Sequence, residues 1–109
     1  MLTPAERQLR LITEKDWQRT VENTLTLHGW AWYHPVDNRP VNGRVQNIQP
    51  GFPDLICLRR ERGLAIELKT QTGKVTVEQD AWLTAFREAG FESYVLRPAD
   101  KDLLMRIAR

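Results

Sequence analysis

Asp54-Leu55-Ile56-Cys57-Leu58, followed after the charged turn Arg59 to Gly63 by Leu64-Ala65-Ile66-Glu67-Leu68-Lys69, is the stretch that decides the fold. Two apolar runs of strand length joined by a short polar turn read as a hairpin-like pair of β-strands. Their near-continuous apolar character predicts burial on both faces, as in a sheet covered by helices. Alternate side chains of a strand share a face, so Glu67 and Lys69 point one way and Leu68 points into the core. If the strands pair, Asp54 reaches the same spot, and two carboxylates and one lysine converge where the strands diverge. Ionised groups that interrupt or end apolar strands are costly to desolvate and need a reason to be there.

Upstream, Thr13-Glu14-Lys15-Asp16 precedes Trp17, Val21, Leu25 and His28 at helical spacing, and Gly29 stops the pattern. This predicts an amphipathic helix. Trp30-Ala31-Trp32-Tyr33-His34, aromatic and closed by Pro35, reads as a first strand. The segment Pro35 to Gly51 is long, polar and turn-rich, which in a compact domain marks a functional or disordered loop, and its arginines favour substrate contact. Downstream, Gly73 breaks the pattern. Val77, Ala81, Trp82, Ala85 and Phe86 then trace a helix ending near Gly90, Glu92 to Leu96 reads as a fourth strand, and Leu103, Leu104 and Ile107 after Pro98 suggest a short last helix. The expected order is helix, three strands, helix, strand, helix. The expected fold is α/β, a central mixed sheet flanked by helices, with no repeat or linker.

A chain of 109 residues suits one domain, read here as residues 1–109 with a core at about 13–99. No apolar run approaches the roughly 18 to 20 residues that cross a bilayer, and Met1 to Arg10 is charged, so a cytoplasmic protein is expected. The lone Cys57 has no disulfide partner and reads as a small core residue, and His28 and His34 are too few for a histidine-rich metal cluster. A metal bound here must be held by carboxylates. The net charge of +2 and pI of about 9.0 are compatible with nucleic acid without proving it. Arg59, Arg60 and Arg62 form one basic cluster, and Arg39 and Arg44 stand in the polar loop.

Two carboxylates and a lysine suit phosphodiester hydrolysis, in which negative charge builds on phosphorus while an attacking water loses a proton. Magnesium, a hard cation with oxygen ligands, addresses both problems. Asp54 and Glu67 are the candidate ligands, with the Leu68 carbonyl as a further oxygen. Lys69 is the candidate to orient or deprotonate the water or to stabilise the developing charge. An isolated Asp with a Glu-x-Lys is more often a surface salt-bridge pattern; the apolar strands around these residues favour the site.

The runs Gly51-Phe52-Pro53-Asp54-Leu55-Ile56 and Ala65-Ile66-Glu67-Leu68-Lys69, then Gly73-Lys74, Gln79, Trp82-Leu83, Gly90 and Tyr94-Val95, closely resemble the VRR-NUC family of the PD-(D/E)XK nuclease superfamily. The resemblance runs from about Thr13 to Ala99 and implies a restriction-endonuclease-like core. It implies that Asp54 and Glu67 are metal-binding acids, that Lys69 is the catalytic lysine and that Gln79 is a helix glutamine supporting the site. Glu14 and Gln18 match a first-helix Glu followed four residues later by Gln. Spaced so, they share a helix face that can serve the metal or its water shell, with Glu14 a candidate ligand and Glu22 a competing acid.

The resemblance further implies a magnesium- or manganese-dependent endodeoxyribonuclease selective for branched DNA such as four-way junctions. Arg39, Arg44, Arg59, Arg60, Arg62, Lys74 and His34 are the expected DNA contacts. A body of about 30 Å with one site cuts one strand at a time, and related junction-resolving nucleases pair two sites, so a homodimer is expected with Trp30 and Trp32 on a shared strand face as interface material. Stacking of Trp17, Trp30, Trp32 and Trp82 on bases is the weaker reading beside packing. Three rivals stand against this: a restriction-like or nicking enzyme on linear duplex, a non-catalytic DNA-binding module on the same fold, and a His-Asn-His nuclease from His28, His34 and Asn38, which lacks supporting cysteines.

Overall fold

A computed structural model of the chain describes residues 1–35, 40–41, 44–45 and 50–109. Thr3 caps a first helix, α1 (Pro4–Leu11), in a capping box with Glu6, and Pro4 occupies the first turn, where a missing N–H costs nothing. This helix buries no residue and was not expected. The Thr-Pro-x-Glu signal is legible, but α1 has no apolar face of core width to announce it. Helix α2 (Glu14–Leu27) is the expected amphipathic one: the Thr13 hydroxyl accepts the N–H of Asp16, and Trp17, Val21 and Leu25 are buried at four-residue spacing. Each buried side chain of this size contributes about 1.5–3 kcal/mol, enough to fix the helix to the sheet.

The strands are β1 (Ala31–Tyr33), β2 (Pro40–Val41), β3 (Arg44–Val45), β4 (Leu55–Arg59), β5 (Arg62–Leu68) and β6 (Glu92–Leu96). Among the described residues the main sheet has the order β1-β4-β5-β6, and β2 and β3 form a separate two-stranded pair within the polar segment. β1 to β5 pair antiparallel through β4, and β6 lies parallel to β5. A parallel neighbour needs a crossover, which α3 (Val77–Glu88) supplies between β5 and β6. A 3₁₀ turn (Pro98–Asp100) leads into α4 (Lys101–Ala108).

Cross-strand partners share a face, so the register divides the sheet. On one face Leu55, Cys57, Leu64, Ile66, Leu68 and Leu96 pack with Trp17, Val21 and Leu25 of α2 and with Leu104 and Ile107 of α4. Cys57 is fully buried there, which pushes its thiol up to about 12 and marks it as core. On the other face α3 covers β5 and β6 through Leu83 and an aromatic cluster of Phe52, Trp82, Phe86 and Phe91.

Burial on both faces holds for β5 and fails for β4, whose Leu58 is 55% exposed. Among the described residues, helix α3 packs on β5 and β6 and does not extend over β4 and β1. The apolar stripe read for α3 is also displaced: Val77, Ala81 and Ala85 face outward while Leu83 is buried, because the aromatic cluster turns the helix about that side. No helix among the described residues is long and apolar enough to cross a membrane.

Candidate functional site

β4 begins at Leu55, opposite Ile66, so the N–H of Leu68 has no backbone partner on that side. Asp54 provides one: its Oδ2 accepts the Leu68 N–H at 2.8 Å. In an extended residue the carbonyl points to the same side as the N–H, so the Leu68 carbonyl turns toward the Asp54 side. The next residue turns the other way, with Lys69 N–H donating to the Leu96 carbonyl at 3.1 Å. That same carbonyl accepts the Trp17 indole N–H at 2.9 Å, so α2 braces the strand end that carries Lys69.

Glu67 is 2% exposed. Its Oε2 accepts an N–H from the Gln79 amide at 2.9 Å and lies 3.5 Å from Lys69 Nζ. Its Oε1 is buried with no hydrogen-bond partner among the described residues. Burial first, and then the Asp54 carboxylate, raise the Glu67 pKa to about 8 against the opposing effect of Lys69. A second carboxylate close by and an unpaired buried oxygen amount to a site short of positive charge. Asp54, Glu67 and the Leu68 carbonyl together offer hard oxygen donors of the kind magnesium and manganese take.

Gln79 is fixed from both ends. Its Oε1 accepts the Thr76 N–H at 2.9 Å, and the Thr76 hydroxyl accepts the Gln79 N–H at 3.1 Å, a capping box that leaves only the amide N–H₂ to face Glu67. Thr76 has no role in the sequence reading, although Thr76-Val77-Glu78-Gln79 spells that box. Gly51 is another residue whose part emerges only in three dimensions. At φ +87° it lies so close to α3 that a Cβ there would stand 2.6 Å from the Glu78 carbonyl carbon. This contact seats Pro53-Asp54 against the helix turn that holds Gln79, and the Trp82 indole donating to the Pro50 carbonyl at 3.1 Å holds the same segment.

The other expected site residues fall in different places. Glu14 is exposed at the start of α2, and Gln18 donates to Glu22 at 2.9 Å, so these residues form a row along one helix face. No three His, Cys, Asp or Glu side chains gather as a metal cluster among the described residues. Lys74 is exposed in the turn between Lys69 and α3, at the site end of the sheet. His34 is exposed, and its Nδ1 bonds the Asp54 carbonyl at 2.7 Å. Arg39 and the side chain of Arg44 lie outside the described residues.

Arg59, Arg60 and Arg62 occupy the hairpin turn, at the opposite end of β4 and β5 from Asp54 and Glu67. Arg59 donates to the carbonyls of His28 (2.9 Å) and Ala108 (2.8 Å), tying the ends of α2 and α4 together. Arg62 grips Glu92 with two hydrogen bonds of 2.8 and 2.9 Å, which holds the Glu92 carboxyl below its ordinary range. Both guanidinium groups lie over Trp30, at 4.6 and 5.0 Å from its ring centroid. Arg59 and Arg62, expected as part of one basic DNA-contact cluster, thus have hydrogen-bond partners inside the fold, whereas Arg60 beside them is exposed.

The tryptophans are committed as well. Trp30 is 4% exposed with its indole on the Ala108 carbonyl, Trp32 donates to Thr26, and Trp17 is buried. Trp30 and Trp32 share a face as expected, and that face is the core face, where Trp30 is buried and Trp32 is partly buried.

The model of the VRR-NUC domain family matches this chain over residues 7–100, most of its length. No curated protein and no solved structure matches it.

Proposed function

The chain belongs to the VRR-NUC family, a nuclease-type domain that acts on DNA, and from that premise we propose that it is a magnesium- or manganese-dependent endonuclease with Asp54, Glu67 and Lys69 as its working centre. The observation that carries this reading is the buried Glu67 carboxyl beside the Asp54 carboxylate, with its Oε1 lacking a hydrogen-bond donor among the described residues. A stable fold keeps an acid in that setting at a cost, which a divalent cation held by these acids would offset.

Asp54, Glu67 and the Leu68 carbonyl would hold the cation. When bound, such a cation would supply positive charge for the phosphate and would ease loss of a proton from a water. Lys69, 3.5 Å from Glu67, stands beside that position to orient the water or to meet the developing negative charge with its ammonium. Gln79 keeps the Glu67 carboxylate turned toward Asp54. Glu14 and Gln18 remain candidates to act through the water shell.

The finer substrate is proposed as branched DNA, four-way junctions among them, cut by a homodimer whose two sites act on two strands. One catalytic centre per chain is what favours pairing. The testing experiment incubates wild type and the Asp54→Ala, Glu67→Ala and Lys69→Ala proteins with labelled duplex, flap and four-way substrates in magnesium, manganese or EDTA. Metal-dependent cleavage by wild type alone is expected, with sedimentation equilibrium reading the oligomer. Full activity of Glu67→Ala with unchanged metal dependence would overturn the assignment, and DNA binding by wild type without cleavage in any metal would favour a binding module.

A further inference from the structure

We propose that the open half of the sheet beside the site is a track for an unpaired DNA strand, on which Tyr33 stacks against a base next to the phosphate being cut. This rests on the nuclease reading above. Tyr33 pairs with Ile56 and Ile56 with Ala65, so the three side chains share one face; Glu67, two residues beyond Ala65, shares it too. With strands ~4.8 Å apart and ~6.8 Å per two residues, the Cα atoms of Tyr33 and Glu67 are about 12 Å apart. The ring therefore lies within reach of a nucleotide adjoining a phosphate held at Asp54 and Glu67. The two sites are also joined directly, because His34, the next residue, bonds the Asp54 carbonyl.

This half-face is apolar, and no described element covers it: Tyr33 is 60% and Leu58 55% exposed, and Ala31, opposite Leu58 on β1, is exposed too. Its far end is basic. There an open cleft of ≈ 660 Å³ is lined by His28, Ala31, Leu58, Arg59 and Arg60. With the Arg59 guanidinium spent on backbone carbonyls, exposed Arg60 is the cation left to meet a phosphate. An aromatic ring on a sheet face with a cation at the end of the path is the chemistry that binds single strands, since every unpaired base has a free π face. In a duplex those faces are already stacked on one another, so the same surface discriminates in favour of unpaired DNA.

The test is fluorescence anisotropy in EDTA, where no cleavage occurs, with a labelled oligo-dT and a duplex of equal length. Tyr33→Ala is expected to weaken oligo-dT binding about 5- to 150-fold, to leave duplex binding within about twofold and to be rescued by Tyr33→Phe. Arg60→Ala is expected to reduce the slope of log affinity against log salt by about 0.7 on the single strand. Should Tyr33→Ala not fold, Tyr33→Leu keeps apolar bulk without the π system and gives the same readout. Unchanged oligo-dT affinity, equal losses on both DNAs, or a sedimentation shift showing that Tyr33→Ala dissolves a dimer through this face would each overturn the inference. Wild-type cleavage is measured on the same preparation. An active enzyme indifferent to Tyr33 sinks this inference alone, whereas a wild type that never cleaves sinks the nuclease reading and leaves the binding result standing.

Discussion

Gln79 donates its amide N–H to Glu67 Oε2 across 2.9 Å, so the first turn of a helix sets the orientation of a buried acid on a strand. Residues that orient metal-binding side chains typically cost 10- to 100-fold in metal affinity or activity when removed. Gln79→Ala is therefore expected to lower cleavage about 10- to 100-fold at saturating DNA. Thr76→Ala serves as the control: it loses the cap, worth about 1 kcal/mol, and keeps the amide that faces Glu67. Equal activity losses in the two variants, scaling with stability, would show that Gln79 acts only as a helix cap.

Glu67 has a pKa of about 8 in the fold against an ordinary value of 4.5, chiefly through burial. The folded protein without metal thus holds a proton that the unfolded chain releases. The stability from that proton is whole below pH 4.5 and is lost as pH rises through 8. Across this window the metal-free protein should lose up to ~1.4 kcal/mol per pH unit from this one group. Thermal melts in EDTA check this: Glu67→Gln should flatten the decline, and magnesium added at the alkaline end should raise the wild-type Tm and leave the variant unmoved. Parallel wild-type and Glu67→Gln curves would refute it.

Gly29 and Gly51 both adopt positive φ, yet only Gly51 meets another element. Gly29→Ala has open space and should cost about 1 kcal/mol, the backbone penalty alone. Gly51→Ala must also push Asp54's segment away from α3, and should cost about 2–4 kcal/mol together with most of the activity. Denaturant titration beside a cleavage assay separates the two, and equal behaviour of the variants would show that the close approach of Gly51 does not seat the site.

Much of this was legible in the chain because the core strands and α2 state their period plainly: Trp17, Val21 and Leu25, then Leu55, Cys57, Leu64, Ile66 and Leu68, are where the spacing puts them. Asp54, Glu67 and Lys69 follow from strand alternation and from one pairing. What escaped the sequence depends on contacts between distant elements. Helix α1 has no buried face to announce it. The outward turn of Val77, Ala81 and Ala85 is set by aromatic partners on β6's approach and before β4. Arg59 and Arg62 look like any exposed basic cluster until the ends of α2 and α4 arrive beside them.

That last contrast yields a prediction in which stability and DNA binding should part. Arg59 places charged N–H groups on the carbonyls of His28 and Ala108, and such hydrogen bonds to a charged donor are worth about 1.5–3 kcal/mol. It also rests on Trp30, so Arg59→Ala removes contact as well as charge. The expected result is a stability loss of about 2 kcal/mol, which in a domain of this size lowers Tm by roughly 8–16 °C. Below the transition, the salt dependence of DNA affinity should stay as in wild type, because the guanidinium is held by backbone oxygens at the end of β4 remote from Asp54 and Glu67. Arg62→Ala should behave likewise with a smaller Tm change, its Glu92 pair being more than a third exposed and screened by solvent. A salt slope reduced by about 0.9 per arginine on duplex, with Tm unchanged, would reverse the assignment and make the hairpin turn a phosphate grip.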